Sequence, residues 1–385
     1  MPRRRWPIKA LINARLVADG KIYENVTILF DNTIRAVDRD VNITGCEVTD
    51  VKGAYVSAGF IDIHIHGSGG ADVMDATSEA LETISKTLVQ TGTTSFLATT
   101  MTMSPEHITA AIDNVRECQE RVSSAQLLGV HLEGPFINPA RQGAQDAKFV
   151  QKPLLSSIEK HMDLVKMITL APEVKGAEAF LREIGQQYPE VLLSIGHSDA
   201  TYDEAKESFE LGVHHATHLF NAMPPLKHRA PGIVGAVFDD ERVSCDIIAD
   251  LVHLHPATLR MVWKQKQESL ILITDAMRAG CMKNGCYDLG GQRVEVADGE
   301  ARLADGTLAG SVLKMNEAVR NMVEHTSMTL PQAIRSVTEF PAQRLHLEKK
   351  GKLEAGCDAD MVIFDEGLGI IATFVAGEMK YQRSL

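Results

Sequence analysis

The feature that most constrains the fold is a series of eight short apolar runs, rich in β-branched residues, that alternate with segments of helical periodicity. An amphipathic segment such as SEALETISKTLVQTG (78–92) lies between most pairs of runs. Buried parallel strands alternating with helices predict a (β/α)8 barrel of the TIM-like kind. An open doubly wound α/β sheet is the competing arrangement, but no glycine-rich GxGxxG motif follows the first run. The runs are FIDIHIH (60–66), TSFLATTM (94–101), LLGVHLEG (127–134), MITLAPE (167–173), LLSIGH (192–197), HATHLFN (215–221), VSCDIIAD (243–250) and LILITDAM (270–277).

The two ends of the chain have a different pattern from the middle. Residues 1–56 contain short apolar runs separated by turn residues, as in ALINARLV, DG and VTILFD, and residues 346–385 read similarly. Short runs bounded by turn signals are typical of antiparallel strands. We therefore expect both ends to form one small β-sandwich domain, with residues 57–345 forming the catalytic barrel.

Composition excludes several classes of partner. The chain has 385 residues and a formal net charge of −12, which disfavours binding to nucleic acid or to an anionic membrane. An anionic substrate must therefore be held by a local positive site. No apolar run approaches the length of a membrane span, and the start MPRRRWPIKALINARLV lacks the continuous apolar core of a secretory leader. Six cysteines without a CxxC pair indicate reduced thiols, so we expect a cytoplasmic protein.

Imidazole and carboxylate groups recur at the ends of the predicted strands. Active sites of such barrels lie at the carboxyl ends of the strands, so these positions test for function. A single histidine at a strand end is usually an ordinary polar residue, but the joint pattern is much harder to explain in that way. Imidazole with carboxylate suits zinc, iron, manganese or a similar divalent ion, and the absence of a strand-end cysteine argues against a thiolate site. The residues are His64, His66, Glu133, His197, His218 and Asp275.

Three further histidines are given supporting roles. His131 lies on the same side of its strand as Glu133 if the strand is regular, so it could support a ligand from behind. His214 and His215 stand at the start of the sixth run, and we expect them to precede the sixth strand at its amino-terminal end and to contribute to stability and not to catalysis.

Six motifs carry a family resemblance along essentially the whole chain. GFIDIHIHG (59–67) resembles the first-strand signature of the amidohydrolase superfamily, and GKLEAGCDADMVIFD (351–365) resembles its closing segment. The resemblance implies a barrel of the metal-dependent hydrolase type with a small β domain from both termini. Within the superfamily, four motifs resemble the N-acetylglucosamine-6-phosphate deacetylase family: HLEGPFINPARQGAQ (131–145), GHSDA (196–200), THLFNAMPPLKHRAPG (217–232) and ITDAM (273–277).

The resemblance assigns a metal site and a proton-transfer group. Glu133, His197 and His218 match the common metal ligands of the family. His64 and His66 match a pair that some members use for a second metal, which would be bridged by Glu133. One or two divalent ions per subunit are thus implied, with zinc as the first choice and iron, manganese or cobalt as alternatives. Asp275 matches the general acid/base of the family.

The resemblance also implies a substrate and an assembly. The implied reaction is hydrolysis of the acetamide of N-acetyl-D-glucosamine 6-phosphate to D-glucosamine 6-phosphate and acetate, in amino-sugar catabolism and cell-wall recycling. The galactosamine epimer as substrate, or a non-catalytic scaffold, are the alternatives. Arg229 matches a residue that reaches the neighbouring active site, which implies a homodimer, and Gln145 stands where some relatives have histidine. The positions matching substrate contacts are Ala144, Gln145, Asn221, Ala222, Arg229, His253, Leu308, Ala309 and Gly310.

Overall fold

The amino-terminal segment forms the first part of a β-sheet that flanks the barrel. The computed structural model describes residues 8–384, so residues 1–7 of the predicted β domain, and with them most of the basic start, lie outside the described residues. The first two strands pair antiparallel through Asp19 and Gly20, whose φ angles of 51° and 70° fit the tight hairpin turn that a DG pair favours. The strands of this segment are β1 (Lys9–Ala18), β2 (Lys21–Phe30), β3 (Ile34–Asp38), β4 (Glu47–Asp50) and β5 (Tyr55–Ala58).

The middle of the chain forms a barrel of eight parallel strands that neighbour one another in chain order. Each of the eight predicted runs overlaps a barrel strand, although the sixth does so only at its first two residues, and the sequential order confirms the predicted barrel over the doubly wound sheet. A short hairpin of β7 (Gly67–Ser68) and β8 (Ala71–Asp72) follows the first barrel strand. The barrel strands are β6 (Phe60–Ile65), β9 (Thr93–Thr99), β10 (Gln126–Glu133), β11 (Val165–Leu170), β12 (Leu192–Ile195), β13 (Val213–Ala216), β14 (Ser244–Ile248) and β15 (Leu270–Ile273).

Hydrogen bonds between the segments that end β6 and follow β15 close the barrel. The backbone N–H of Asp275 donates to the carbonyl of His64 at 2.9 Å, and the N–H of His66 donates to the carbonyl of Ala276 at 2.9 Å. Below them, the Thr274 hydroxyl donates to the Asp62 carboxylate at 2.6 Å. We call this junction the seam, and three of its residues are predicted site residues.

Helices cover the outside of the barrel, and their starts follow the sequence signals. The side chains of Thr77 and Ser104 accept bonds from N–H groups in the first turns of two helices, and Thr201 with Glu204 forms a capping box at a third. The α-helices are α1 (Ser78–Leu88), α2 (Pro105–Cys118), α3 (Ala177–Gln187), α4 (Tyr202–Glu210), α5 (Gly232–Asp239), α6 (Pro256–Lys266), α7 (Met315–His325), α8 (Leu330–Arg335) and α9 (Glu339–Arg344).

Short 3₁₀ segments fill several of the remaining connections. The connection between β10 and β11 contains four of them and no α-helix within the described chain. The 3₁₀ segments are Val73–Asp75, Val89–Thr91, Pro139–Arg141, Ala147–Phe149, Leu155–Ser157, Glu159–His161 and Gln267–Ser269.

A three-stranded antiparallel sheet follows the last barrel strand, and the sequence patterns did not predict it. Its strands are β16 (Gly285–Leu289), β17 (Gln292–Ala297) and β18 (Glu300–Arg302). An apolar cluster that includes Met101, Met277 and Val294 packs this sheet against the carboxyl ends of barrel strands. We call it the mouth sheet.

The carboxyl-terminal segment completes the flanking sheet. Its strands are β19 (Met361–Phe364), β20 (Ile370–Val375) and β21 (Glu378–Gln382). Because β19 pairs antiparallel with β5, the two ends of the chain share one eight-stranded sheet, which confirms the predicted β domain from both termini. A separate apolar core lies under it, where the rings of Phe30 and Phe374 meet edge to face at 5.7 Å. Among residues 8–384, no helix combines the length and apolar character needed to cross a membrane.

Candidate metal centre and active site

The structure brings the six predicted strand-end groups together at one end of the barrel. Glu133 is the last residue of β10, and the other groups lie on β6 or within two residues of a strand end. The six groups come from the ends of five barrel strands, with His64 and His66 sharing the first, as expected for a site built on the carboxyl face of a barrel. The side chains that converge are His64, His66, Glu133, His197, His218 and Asp275.

Glu133 lies at the centre of the cluster. Its Oε1 atom is 3.2 Å from Nε2 of His197 and 3.1 Å from Nε2 of His218. The same atom is 3.4 Å from Nε2 of His64, while Oε2 is 3.3 Å from Nε2 of His66. One carboxylate therefore contacts four imidazoles.

The donor atoms form two groups that share Glu133. His64 and His66 make one group, with their Nε2 atoms 3.3 Å apart, and His197 and His218 make the other, with theirs 3.1 Å apart. Within each group the donor atoms lie within 4.8 Å of one another. Buried imidazole lone pairs this close to carboxylate oxygens suit a divalent cation between them. The donor set therefore fits a divalent metal ion.

Asp275 lies against the first group only. Its Oδ1 atom is 3.4 Å from Nε2 of His64 and 3.3 Å from Nε2 of His66. Burial opposes ionisation of Asp275, but the two imidazoles outweigh burial and hold its pKa below the ordinary value. In the same way burial opposes ionisation of Glu133, and the surrounding imidazoles hold its pKa well below the usual range. Both carboxylates are therefore ionised at neutral pH.

Three of the converging residues adopt backbone conformations that favour glycine. The φ angles are 48° at His197, 32° at His218 and 47° at Asp275. A side-chain-bearing residue in this region costs of order 1–3 kcal/mol and persists only where its surroundings enforce it. Such strain is concentrated at functional sites. Here it directs the three side chains towards the cluster, which the backbone of a regular strand end would not do.

A buried network holds the backbone of His218. The carboxylate of Asp246 accepts from the N–H of His218, and its other oxygen lies 2.9 Å from Nε2 of His215. The other ring nitrogen of His215 lies 2.6 Å from the hydroxyl of Ser244. The expectation that His214 and His215 precede the sixth strand was wrong, because β13 begins at Val213 and contains both. The expected stabilising contribution of His215 is consistent with its full burial.

Further partners orient the other ligands. Nδ1 of His197 lies 3.0 Å from the carbonyl of Arg141, and Nδ1 of His66 lies 3.3 Å from the carbonyl of Thr99. Carbonyl partners of this kind fix the ring so that Nε2 faces a metal. The ring of His131 packs edge-on against that of His64 at 4.6 Å, and burial holds the pKa of His131 well below its ordinary value. His131 therefore supports His64 as a neutral ring.

Gln145 contacts the central carboxylate directly. Its amide nitrogen donates to Oε2 of Glu133 at 2.7 Å, and its carbonyl accepts from the N–H of Thr102 at 2.6 Å. The side chain is buried, so both bonds are shielded from water. The amide therefore orients Glu133, a role that the sequence did not indicate.

A cavity of about 370 Å³ opens over the cluster. Its wall includes most of the predicted contact positions, while Ala309 is fully buried behind it. His253 lies in the wall with Nδ1 2.7 Å from the Asp250 carboxylate. Arg229 is exposed and does not line the cavity of its own chain. The predicted positions in the wall are His66, Glu133, Ala144, Gln145, His197, His218, Asn221, Ala222, His253, Asp275, Leu308 and Gly310.

The segment after the mouth sheet requires a glycine where it passes Asp275. Gly310 has a φ of 60°, and a Cβ atom there would stand 2.9 Å from the carbonyl oxygen of Asp275. That carbonyl accepts from the N–H of Ser311 at 2.7 Å, so the two segments are held in contact. The mouth sheet also adds residues to the cavity wall that sequence reasoning missed: Leu289 and Arg302.

Comparison with known proteins agrees with this geometry. The amidohydrolase family model matches residues 55–380. The chain is 40% identical over 374 residues to N-acetylglucosamine-6-phosphate deacetylase of Lysinibacillus sphaericus, covering 95% of each chain. It is 34% identical over 372 residues to N-acetylgalactosamine-6-phosphate deacetylase of Escherichia coli O157:H7, covering 94% of this chain and 97% of the relative.

A solved structure extends the similarity to three dimensions. A mutant N-acetyl-D-glucosamine-6-phosphate deacetylase of Mycobacterium smegmatis, in complex with N-acetyl-D-glucosamine-6-phosphate, superposes with a TM-score of 0.91 at 31% identity. The alignment covers 97% of this chain and 99% of that one. By sequence and by structure, the chain belongs to the amidohydrolase family, in the group of the N-acetylglucosamine-6-phosphate deacetylases.

Proposed function

We propose that the protein hydrolyses the acetamide of N-acetyl-D-glucosamine 6-phosphate and releases D-glucosamine 6-phosphate and acetate. The observation that carries the proposal is the convergence of Asp275 with two His/Glu groups that share Glu133. The names of relatives that align over nearly the whole chain supply the substrate. A non-catalytic scaffold would be expected to lack some of these groups, and all of them are in place.

The chain's own residues would hold one or two divalent ions. Glu133, His197 and His218 would bind one, and His64, His66 and the shared Glu133 would bind a second. When bound, such an ion activates water and polarises an amide carbonyl. We propose zinc, and the same donors accept iron, manganese or cobalt.

Asp275 would move the proton that the reaction requires. Because the carboxylate is ionised, it can accept a proton from the attacking water. It can then deliver that proton to the departing amine nitrogen, which is otherwise a poor leaving group. Its backbone bond to His64 fixes the distance between this base and the cluster.

The cavity wall would hold the sugar phosphate. Peptide and side-chain groups of Ala144, Gln145, Asn221 and Ala222 lie near the cluster, whereas His253 adds an imidazole to the wall. The segment Leu308–Gly310 forms a further part of it. These positions suit contacts to hydroxyl and phosphate oxygens of a sugar that enters with its acetamide towards Asp275.

A homodimer would add Arg229 to the phosphate site. Arg229 lies in an exposed segment outside its own cavity, so it is free to reach the site of a second copy. A guanidinium binds phosphate through two parallel N–H bonds, which suits this role. Sedimentation equilibrium would give the mass of a dimer, and a monomeric active enzyme would refute the arrangement.

The cytoplasm is the compartment that we propose. The six cysteines are all unpaired in the structure, as expected for a reducing environment. The proposed products belong to amino-sugar catabolism and cell-wall recycling.

The galactosamine epimer is the second candidate substrate. A relative of similar coverage is named N-acetylgalactosamine-6-phosphate deacetylase, and one hydroxyl separates the two sugars. Parallel measurement of kcat/KM on both 6-phosphates decides between them. Equal or greater turnover of the galactosamine compound would refute our choice.

Two measurements test the proposed chemistry. Asp275→Asn should lose turnover by orders of magnitude while it retains metal, since it removes the proton acceptor and not a predicted ligand. Elemental analysis of protein purified without chelator should find one or two divalent ions per chain. Unchanged activity of the Asp275 variant would refute its role in proton transfer. Activity of metal-free protein would refute the proposed metal-dependent mechanism.

A further inference from the structure

An irregular segment after β10 contacts two of the predicted metal ligands, and we call it the strap (residues 138–146). Three of its residues line the active-site cavity. The carbonyl of Arg141 lies 3.0 Å from Nδ1 of His197, and the side-chain amide of Gln145 donates to Glu133 at 2.7 Å. A shift of the strap would therefore change the cavity wall and the surroundings of both ligands.

A single hydrogen bond joins the mouth sheet to the strap among residues 8–384. The side-chain amide of Gln292 donates to the carbonyl of Ala144 at 2.6 Å. Gln292 is the first residue of β17 and pairs with Leu289 across the tight turn between β16 and β17, so its backbone position is set by the hairpin. The mouth sheet therefore contacts the strap from a defined position, through one polar side chain.

This bond fixes one peptide unit of the strap on both sides. The carbonyl of Ala144 accepts from Gln292, and the N–H of Gln145 donates to the carbonyl of Gln142 at 2.9 Å. The backbone N–H groups of Gly143 and Ala144, by contrast, make no hydrogen bond within the described part of the chain. A fixed peptide with free N–H groups beside it suits contact with a ligand oxygen, because little conformational freedom is lost on binding.

The mouth sheet gives the Gln292 amide a rigid base. Its apolar residues pack with Met101 and Met277, which follow two barrel strands. The N–H of Thr102, the residue after Met101, donates to the side-chain carbonyl of Gln145 at 2.6 Å. The sheet and the strap are thus both held to the segment that follows β9, and Gln292 connects them at a second point.

We propose that Gln292 is a positioning residue that fixes the Ala144–Gln145 peptide for contact with the substrate. The inference rests on the proposed function, because it names what holds a predicted substrate-contact segment. Gln292 does not line the cavity, so it acts through Ala144 and not by touching the substrate. Loss of its amide leaves the two side-chain bonds of Gln145 in place, so the effect should fall on substrate binding and not on metal binding.

The test compares Gln292→Leu, which lacks the donor, with Gln292→Lys, which retains an N–H donor on a long side chain. Arg293→Gln is the matched control, because Arg293 is the next residue of β17 and donates to Sγ of Cys286 instead of to the strap. For each protein, kcat and KM are measured on N-acetyl-D-glucosamine 6-phosphate, and metal content by elemental analysis. Hydrogen exchange of the strap is followed by mass spectrometry on ligand-free protein, which reports on the strap independently of turnover.

Gln292→Leu should raise KM about two- to tenfold, as expected for loss of one hydrogen bond between uncharged groups, with kcat and metal content at wild-type levels. Exchange of the strap amides should become faster in the same variant. Gln292→Lys should restore both values, and Arg293→Gln should match wild type.

Three results would overturn the role of Gln292. They are an unchanged KM, a raised KM that Gln292→Lys does not restore, and exchange that becomes faster throughout the protein instead of in the strap. Wild-type protein that is inactive on the 6-phosphate would instead refute the proposed function, and the exchange data would still show whether Gln292 holds the strap.

Discussion

The network behind His218 gives the sharpest test of how the site is held. Asp246 is fully buried, and Asp246→Ala removes its contact with His215 and the bond from the N–H of His218. Each hydrogen bond to a charged group contributes roughly 1.5–3 kcal/mol, so the loss should be about 3–6 kcal/mol. An unfolding entropy of about 2.1 cal/mol/K per residue converts this to a fall in Tm of about 4–7 °C for 385 residues.

The same substitution should weaken metal binding. With its N–H unpaired, His218 loses one of the bonds that hold its left-handed φ of 32°, so the imidazole should shift from its position beside Glu133. Loss of a supporting partner costs about ten- to one-hundredfold in metal affinity. Asp246→Asn retains an acceptor for the His218 N–H and serves as the conservative control.

Two assays test whether Asp246 stabilises the fold and positions His218. Thermal unfolding is followed by circular dichroism on metal-free protein, and metal affinity is measured by competition with a chromogenic chelator. We expect both values to fall for Asp246→Ala and to recover largely for Asp246→Asn. A lower Tm with unchanged metal affinity would show that Asp246 does not position His218, and an unchanged Tm would refute the energetic argument as well.

Three further predictions concern the cluster and the surface. Gln145→Leu removes the hydrogen bond to Glu133 and the one from Thr102, and it should lower metal affinity by about ten- to one-hundredfold in the same competition assay. An unchanged metal affinity would show that Gln145 does not orient Glu133. Removal of metal by chelation should lower Tm by about 5 °C, because an ion at a thousand times its Kd stabilises the folded state by about 4 kcal/mol. Added zinc should restore the Tm of the wild-type protein, whereas the Tm of Glu133→Gln should not respond to zinc. Hydrogen bonds from Arg242 hold the pKa of Asp240 below its ordinary value, so its stabilising contribution is complete above about pH 4 and is lost as the pH falls further. Urea unfolding should therefore show that Asp240→Asn has a lower free energy of unfolding than wild type at pH 7, and that this difference shrinks at pH 3. A difference that is the same at both pH values would contradict the lowered pKa of Asp240.

The barrel was predictable because burial on both faces leaves a mark in the sequence. Runs such as LILITDAM and TSFLATTM consist of buried residues in the structure, so they lack the alternation of polar and apolar residues that marks a strand with one exposed face. The sixth strand shows the limit of this signal. β13 contains two histidines in four residues, and the buried His215 is stabilised by Asp246 and Ser244 from the next strand, which no local pattern reveals.

The cluster was predictable because strand ends of one barrel must meet, whereas its surroundings depend on long-range contacts. The mouth sheet alternates exposed and buried positions on short strands that resemble any surface hairpin, so its place over the cavity followed from packing on Met277 and not from sequence. The bond from Gln145 to Glu133 depends on the irregular connection after β10, which has no periodicity to interpret.

The seam has a consequence for how the protein can be re-engineered or inactivated. The hydrogen bonds that join the first and last barrel strands come from the residues that carry the chemistry, including His64, His66 and Asp275. Heat that loosens this junction must abolish turnover at once, even while the outer helices remain folded. Circular permutation tolerates new termini at exposed loops. It should nevertheless fail when the new termini are placed between β15 and the mouth sheet, because that segment contains Asp275 and Ala276, which bond to the end of β6.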